Sequence, residues 1–356
     1  MSAILNLLKL PYWVISPLTQ AKSFKANPVI GSRILNLLGL HILRIILARA
    51  SMHFRWMLLS PMMPKKYRAA FHRDGFVVIE NFISADDVKT LNREVASHTG
   101  PVREMMQGNT ATQRFLLDAN TLKHAPRLTS ICQSPTLKRY LNYTGAKIAA
   151  PLLYIQRIRN GLPGKPAQGD GTDPQKNMHS DTFHPCMKAW LFFEDVTEDM
   201  GPFTYVPGSN RLTIKRLKWE YNRSIKAAGM TDKYSEKGSL RASPEDLKEI
   251  GLPAPTGITA KAGTLVMANT NGFHGRGAAT EGASRLELWA YSRHNPFNPF
   301  PGIFVPFAKA IKNKAMHVFW DRADKKAQKK NAKASWYLID PSDMLGDLSD
   351  TGPKHP

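Results

Sequence analysis

Along residues 1–64 the apolar positions gather into two blocks, Ile4–Leu10 and Ile34–Ala48, the second interrupted by Asn36, Gly39, His41 and Arg44. Both are shorter than the roughly 20 apolar residues that a membrane-crossing helix needs. The pattern changes after the prolines at Pro61 and Pro64. Tyr67–Arg73 predicts a short helix running into the turn pair Asp74–Gly75, and Phe76–Ile79 predicts a strand. Ser84, with Asp87 three residues on, predicts an N-cap for a helix reaching about Ser97. Residues 101–150 are mixed in pattern, with a helix expected at Pro135–Gly145.

Short strand-like runs follow at Pro151–Ile158, Ala189–Phe193, Phe203–Val206 and Gly263–Ala268. Ser284–Arg293 alternates, placing Arg285, Glu287, Trp289, Tyr291 and Arg293 on one face and Leu286, Leu288 and Ala290 on the other. Strands of this length joined by Gly/Pro turns predict a sandwich or barrel. Two stretches break the series. Residues 159–176 are rich in Gly and Pro and read as a loop. Residues 211–255 are basic and helical in tendency, with Ser243 capping Pro244–Ile250, and read as a helical insert over the strands.

Charge changes this picture at the two ends. The chain of 356 residues carries 49 Lys+Arg against 28 Asp+Glu, a net +21, which predicts attraction to anionic surfaces. Residues 1–73 hold eleven Lys/Arg and no acid, Asp74 being the first. Apolar runs flanked by Lys/Arg, with Tyr12–Trp13 beside them, suit helices lying in a membrane interface. Helices packed on the catalytic part, or an organelle transit peptide, are competing readings. The segment from Lys309 to Lys333 has nine Lys/Arg and two Asp. It shows no nucleic-acid-binding motif, so a solvated or membrane-facing helix is the preferred reading over nucleic-acid binding. Two cysteines, Cys132 and Cys186, give no disulfide framework and fit a reducing, cytoplasmic compartment.

The candidate chemistry lies in Met178-His179-Ser180-Asp181. In an extended segment residues two apart point the same way, so His179 and Asp181 can converge on one metal ion. His274, in the Gly-rich stretch Asn271–Gly277, is the candidate third ligand. Two histidines and one carboxylate on one face leave three open positions, the arrangement of Fe(II) oxygenases. The lack of thiolates argues against structural zinc. His184 lies near the pair but would face away on a continuing strand, and Met178 could wall the pocket.

With these residues in place the chain resembles the phytanoyl-CoA dioxygenase family of Fe(II)/2-oxoglutarate enzymes. Tyr67 to Ile79 resembles that family's opening helix and strand; His179 and Asp181 match its HxD pair. Lys188 to Asp195 (KAWLFFED) and Gly201 to Ser209 (GPFTYVPGS) match the stretch that follows. His274 and, eleven residues on, Arg285 match the distal histidine and the 2-oxoglutarate arginine. The resemblance covers roughly residues 65–295 and implies an α+β fold built on a double-stranded β-helix, a jelly-roll or cupin-like barrel with flanking helices. It implies Fe(II), 2-oxoglutarate as cosubstrate and O2, with His179, Asp181 and His274 on the metal. Arg285 would grip the distal carboxylate of 2-oxoglutarate, with Arg276 as competitor and pairing with Glu287 as the plain structural alternative. Trp190 and Gln156 are further candidates for cosubstrate contact.

The expected organisation is a basic apolar N-terminal extension (1–64), a dioxygenase barrel (65–307) with its insert (211–255), and a basic C-terminal tail (308–356). The expected reaction is hydroxylation of an unactivated C–H with release of succinate and CO2; the carboxylate at Asp181 favours this over halogenation. The basic, apolar ends suggest a lipid-like or anionic small molecule met at a membrane surface. A barrel that has lost catalysis and serves as a binding module is the alternative.

Overall fold

A computed structural model describes residues 2–161, 172–230 and 232–348 of the chain. Most of the Gly/Pro-rich stretch expected as a loop, and the end of the tail, lie outside them. Eleven strands form among the described residues: β1 (Phe76–Ile79), β2 (Val102–Gln107), β3 (Thr110–Leu116), β4 (Leu152–Asn160), β5 (Met187–Phe192), β6 (Phe203–Tyr205), β7 (Thr256–Ile258), β8 (Leu265–Asn269), β9 (His274–Arg276), β10 (Ser284–Ser292) and β11 (Tyr337–Ile339). They make an eight-stranded sheet in the order β1-β8-β5-β10-β4-β3-β2-β11 and a three-stranded sheet β7-β6-β9. Every pairing is antiparallel. The two sheets face each other as a jelly-roll sandwich and do not close into one hydrogen-bonded barrel.

Alternation along the strands decides which residues meet. Met187, Ala189 and Leu191 of β5, Leu265 and Met267 of β8, and Leu286, Leu288 and Ala290 of β10 point to the outer core. There they meet Phe71 of the helix Lys65–Asp74, Val88, Leu91 and Val95 of Ala85–Ala96, and the helices Pro126–Gln133 and Pro135–Thr144. A fully buried leucine such as Leu91 or Leu191 contributes about 1.5–3 kcal/mol. The opposite faces, Trp190, Phe192, Val266 and Ala268, meet Phe203, Tyr205 and Ile258 of the small sheet. Ser84 caps its helix with Asp87 in a reciprocal box, as the sequence predicts, a cap of about 1 kcal/mol.

Two features depart from the sequence reading. The hairpin β2–β3 and the edge strand β11 arise in stretches without a clear apolar alternation. Their buried positions include Arg103, Glu104 and Gln113, satisfied by Asp324 and by each other, so polar pairing hides the strand pattern. The apolar block Ile34–Ala48 is broken at Gly39, whose φ of 92° ends one helix (Arg33–Leu37) and starts a second, Leu40–Leu58, that runs past the block. The insert holds the helices Ile214–Lys226 and Pro244–Ile250, and the basic tail begins with the helix Ala308–Gln328. Among the described residues no helix is long and apolar enough to cross a membrane.

Candidate metal centre

The first ligand segment crosses between the sheets as an isolated extended stretch. His179 exchanges both main-chain hydrogen bonds with His274, each 2.9 Å, and Asp181 N–H donates to the Thr270 carbonyl at 2.9 Å. On its other side Ser180 N–H donates to the Leu240 carbonyl at 3.0 Å, so the insert holds the ligand segment from outside. The segment Pro207-Gly208-Ser209 has a direct role: Ser209 Oγ accepts from Phe273 N–H at 2.8 Å, fixing the approach to His274. Gly272 is required in that approach, because a Cβ there would fall 1.8 Å from the Tyr205 hydroxyl.

His179, Asp181 and His274 bring one donor atom each to a single point, all within 4.8 Å of one another. The Nδ1–H of His179 donates to the Asn177 carbonyl at 2.8 Å and that of His274 to the Gly272 carbonyl at 3.0 Å. A carbonyl can only accept, so both tautomers are set and both Nε2 lone pairs face the cation position, that of His274 also lying 3.5 Å from Lys188 Nζ. These Nε2 atoms lie 3.8 and 3.6 Å from Asp181 Oδ1. Adjacent corners of an octahedron with metal–ligand bonds of about 2.1 Å are about 3 Å apart, so a small contraction seats a metal. Asp181 Oδ2 is taken by the Lys188 ammonium at 2.7 Å, which leaves Oδ1 for the ion.

Electrostatics keep the donors in ligand form. Burial, followed by the neighbouring His274 and Arg241, pushes His179 well below the ordinary histidine range. Burial would raise Asp181, but Lys188 and the two histidines outweigh it and hold the carboxyl well below its usual range. A neutral imidazole and an ionised carboxylate are the forms a divalent cation binds.

The other residues expected at the site fall into a second polar cluster inside the sandwich. Arg285 and Glu287 lie on the inward face of β10, and Gln156 stands opposite Glu287 on β4. Gln156 Nε2 donates to Glu287 Oε1 at 2.7 Å and Arg285 Nε to Oε2 at 3.1 Å. The pairing expected as the plain alternative is therefore present, yet it uses one edge of the guanidinium. Arg285 Nη1 is buried without a partner among the described residues, as a carboxylate-binding fork awaiting its anion would be. Arg276, the competitor, is already paired with buried Asp173 at 2.6 Å. Trp190 lies on the same inner face, its ring 4.2 Å from Phe203, which in turn neighbours His274.

His184 is outside the triad: its ring is buried against Phe183, with Nδ1 bonded to the Pro185 carbonyl. Met178 faces away from the ligands and walls a separate cleft of about 920 Å³ with Arg241 and Leu247. The sequence reading missed Lys188 as a partner of Asp181, although its place two residues before Trp190 puts it on the inward face. It also missed Lys22, which reaches in from the N-terminal extension to donate to the Asp181 carbonyl across 159 residues. Nothing local in the sequence signals that contact.

Known proteins resemble the chain over its central part. The ectoine dioxygenase of Sphingopyxis alaskensis is 27% identical over 244 residues, covering 63% of this chain and 73% of the relative. That of Bordetella bronchiseptica is 24% identical over 255 residues, covering 65% and 76%. Among solved structures, the epimerase SnoN in complex with Fe3+, alpha ketoglutarate and nogalamycin RO aligns at 20% identity with a TM-score of 0.43, covering 64% of this chain and 82% of that one. HygX from Streptomyces hygroscopicus with nickel and 2-oxoglutarate bound aligns at 16% identity and a TM-score of 0.40, covering 64% and 86%. The sequence profile of the family described as Phytanoyl-CoA dioxygenase (PhyH) matches residues 71–285, well over half of the chain, and the chain belongs to that family.

Proposed function

We propose that this Fe(II)/2-oxoglutarate-dependent dioxygenase hydroxylates an unactivated C–H of a lipid-like small molecule met at a membrane surface. The observation that carries the enzyme reading is the donor set: two fixed imidazole Nε2 atoms and one carboxylate oxygen at a point, with an unpartnered Arg285 Nη1 in the same sandwich. In this reading His179, Asp181 and His274 hold Fe(II), Arg285 takes the distal carboxylate of 2-oxoglutarate, and Gln156 and Glu287 brace that arginine. Bound Fe(II), 2-oxoglutarate and O2 supply the oxidising power, with succinate and CO2 as coproducts. The chain's part is to orient and to exclude water. Lys188 keeps Asp181 turned so that one oxygen serves the ion, and Trp190 with Phe203 closes the inner wall. The catalytic unit would be residues 65–307, its insert 211–255 forming one wall.

The membrane part of the reading is supported by the helix Leu40–Leu58, whose outer side is apolar although it already buries Ile45, Ala48, Met52 and Trp56. Its buried side includes His41, Arg44 and Arg55, while Leu43, Ile46, Leu47, Phe54, Met57 and Leu58 are exposed. Ser51 and Arg55 of this helix touch the carbonyls of Phe297 and Asn295. Just beyond, Phe300, Ile303, Phe304, Val305 and Phe307 are exposed as well. So large a set of exposed apolar side chains marks an interaction face, and its basic surroundings suit anionic lipid. The test is incubation of the full chain with Fe(II), 2-oxoglutarate and a total lipid extract. Lipid species that gain one oxygen, dependent on His179, are expected; gain of oxygen in water-soluble metabolites alone would overturn the lipid assignment.

A further inference from the structure

The cations beside the metal centre outnumber the anions that could answer them. Lys22 feels Asp181, Arg293 and Lys188, and Asp181 is the one carboxylate of that group. Lys188 already pairs with Asp181 Oδ2. Lys22 spends its ammonium on a main-chain carbonyl, that of Asp181. Arg293 has neither a carboxylate nor a hydrogen-bond partner among the described residues. A cation without a carboxylate partner gains from an incoming anion. Both side chains open on a cleft of about 720 Å³ that Tyr12, Lys25 and Lys237 also line. Lys25 is answered by Glu236 at 2.8 Å, which leaves Lys22 and Arg293 as the inner cations of that cleft.

Lys22 is held in place by a built frame. Arg44 donates to the carbonyls of Pro17, at 2.8 Å, and of Thr19 and Ala21. Phe24 and Ile30 are buried with Trp219 and Leu240 of the insert. The Lys22 carbonyl presses on Gly238, where a Cβ would come within 2.1 Å. A segment outside the family's shared region is thus a fixed wall of the site.

We propose that Lys22 and Arg293 form the head-group subsite of the substrate pocket, binding the phosphate or carboxylate of an amphiphile beside the metal centre. The oxidised C–H then lies within a few bonds of the anionic group. The apolar tail leaves past Tyr12 toward Val14, Ile15 and Leu18, all at least 60% exposed. This subsite rests on the dioxygenase reading for its purpose but not for its detection.

Isothermal titration of the full-length protein with decyl phosphate, decanoate and neutral decyl maltoside, each kept below micelle formation, tests it. An anionic probe should bind, and Lys22→Gln and Arg293→Gln should each weaken it by about tenfold or more. Lys22→Arg should stay within about threefold of the parent, and the distant Lys326→Gln should change nothing. The stronger of the two anionic probes names the head group, phosphate or carboxylate. Equal binding of the neutral probe, or unchanged binding in both Gln variants, would overturn the proposal. The charge-transfer absorption of the Fe(II)–2-oxoglutarate chelate, read in the same samples, should survive Lys22→Gln. Its absence from the parent would instead sink the dioxygenase reading, while the titration still reports on the subsite.

Discussion

At the scale of single residues the site separates metal-holding from cosubstrate-holding groups. Asp181→Asn and His179→Ala each remove a ligand that no neighbour can replace, since His184 is turned away. Succinate formation from 2-oxoglutarate should fall by about 100-fold or more in either variant. Arg285→Gln removes one charge-assisted fork and leaves the triad intact, so the 2-oxoglutarate KM should rise about 10- to 100-fold while metal affinity holds. Equal KM values would mean that the guanidinium serves only Glu287. HxD was legible because two-residue spacing in an extended chain has a geometric meaning. His274 was found as a histidine in the Gly-rich stretch after a strand, although a ligand set spread over the segments 179–181 and 274 exists only once sheets pair. Order and spacing of the family's motifs added Arg285. Lys22 had neither kind of signal. Arg293, just past β10, was visible in the alternation of 284–293 as a member of the Arg285 face, but its nearness to Lys22 was not.

Among elements, the helix Leu40–Leu58 is the one whose polarity decides a property of the protein. Its inward face is tied to the insert by a buried network: His41 Nε2 lies 3.0 Å from Glu220, and Glu220 pairs with Arg216 at 2.8 Å. Burial would raise Glu220, but Arg216 and His41 hold it down at about 2. Arg49 adds a bond to Asn271 Oδ1 at 2.9 Å, next to the metal-ligand loop. Two of the three readings open for the N-terminus are therefore compatible, since one face packs on the catalytic part and the other is left apolar. The apolar blocks were legible, but which side would face out was not, because arginines normally point to water. Leu47→Asp or Phe54→Asp should lower sedimentation with anionic liposomes by about tenfold, without loss of succinate formation on a water-soluble substrate. If the parent fails to bind such liposomes at low salt, or light scattering shows the same substitutions splitting a dimer, the face serves another partner.

For the whole molecule, charge and buried histidines set the response to salt and acid. With a net charge of +21, liposome binding should weaken as salt rises, since the attraction is screened over about 8–10 Å at ordinary ionic strength. Burial lowers His72 to about 4 and His294 to about 3. The unfolded chain takes up those protons near pH 6.5, whereas the native chain refuses them until more acid conditions. Between those limits the unfolded state binds more protons, so stability is full above about pH 6.5 and falls as pH drops toward 4 and then 3. Thermal melts across that range should show the decline, and His72→Gln should flatten its upper part. A sandwich or barrel was legible from short strands and turns, and the family resemblance narrowed it to a jelly roll. The hairpin β2–β3 was not, because Arg103, Glu104 and Gln113 are buried among its apolar residues and blur the alternation.

The contact between Lys22 and the Asp181 carbonyl bears on how the chain reaches its native state. Partners of the N-terminal region stand far along the sequence, with separations of 159 residues to Asp181, 179 to Glu220 and 222 to Asn271. Contacts of such range close late, because loop entropy is lost before they return any energy. During synthesis the segment before residue 58 emerges ahead of the insert and waits for it to be made. In refolding experiments the sandwich should form in an early phase and the N-terminal segment dock in a slow one, seen by Trp13 and Trp56 fluorescence lagging strand formation. The head-group wall and the apolar face would then mature together, last of all, so that an immature chain cannot yet select a substrate.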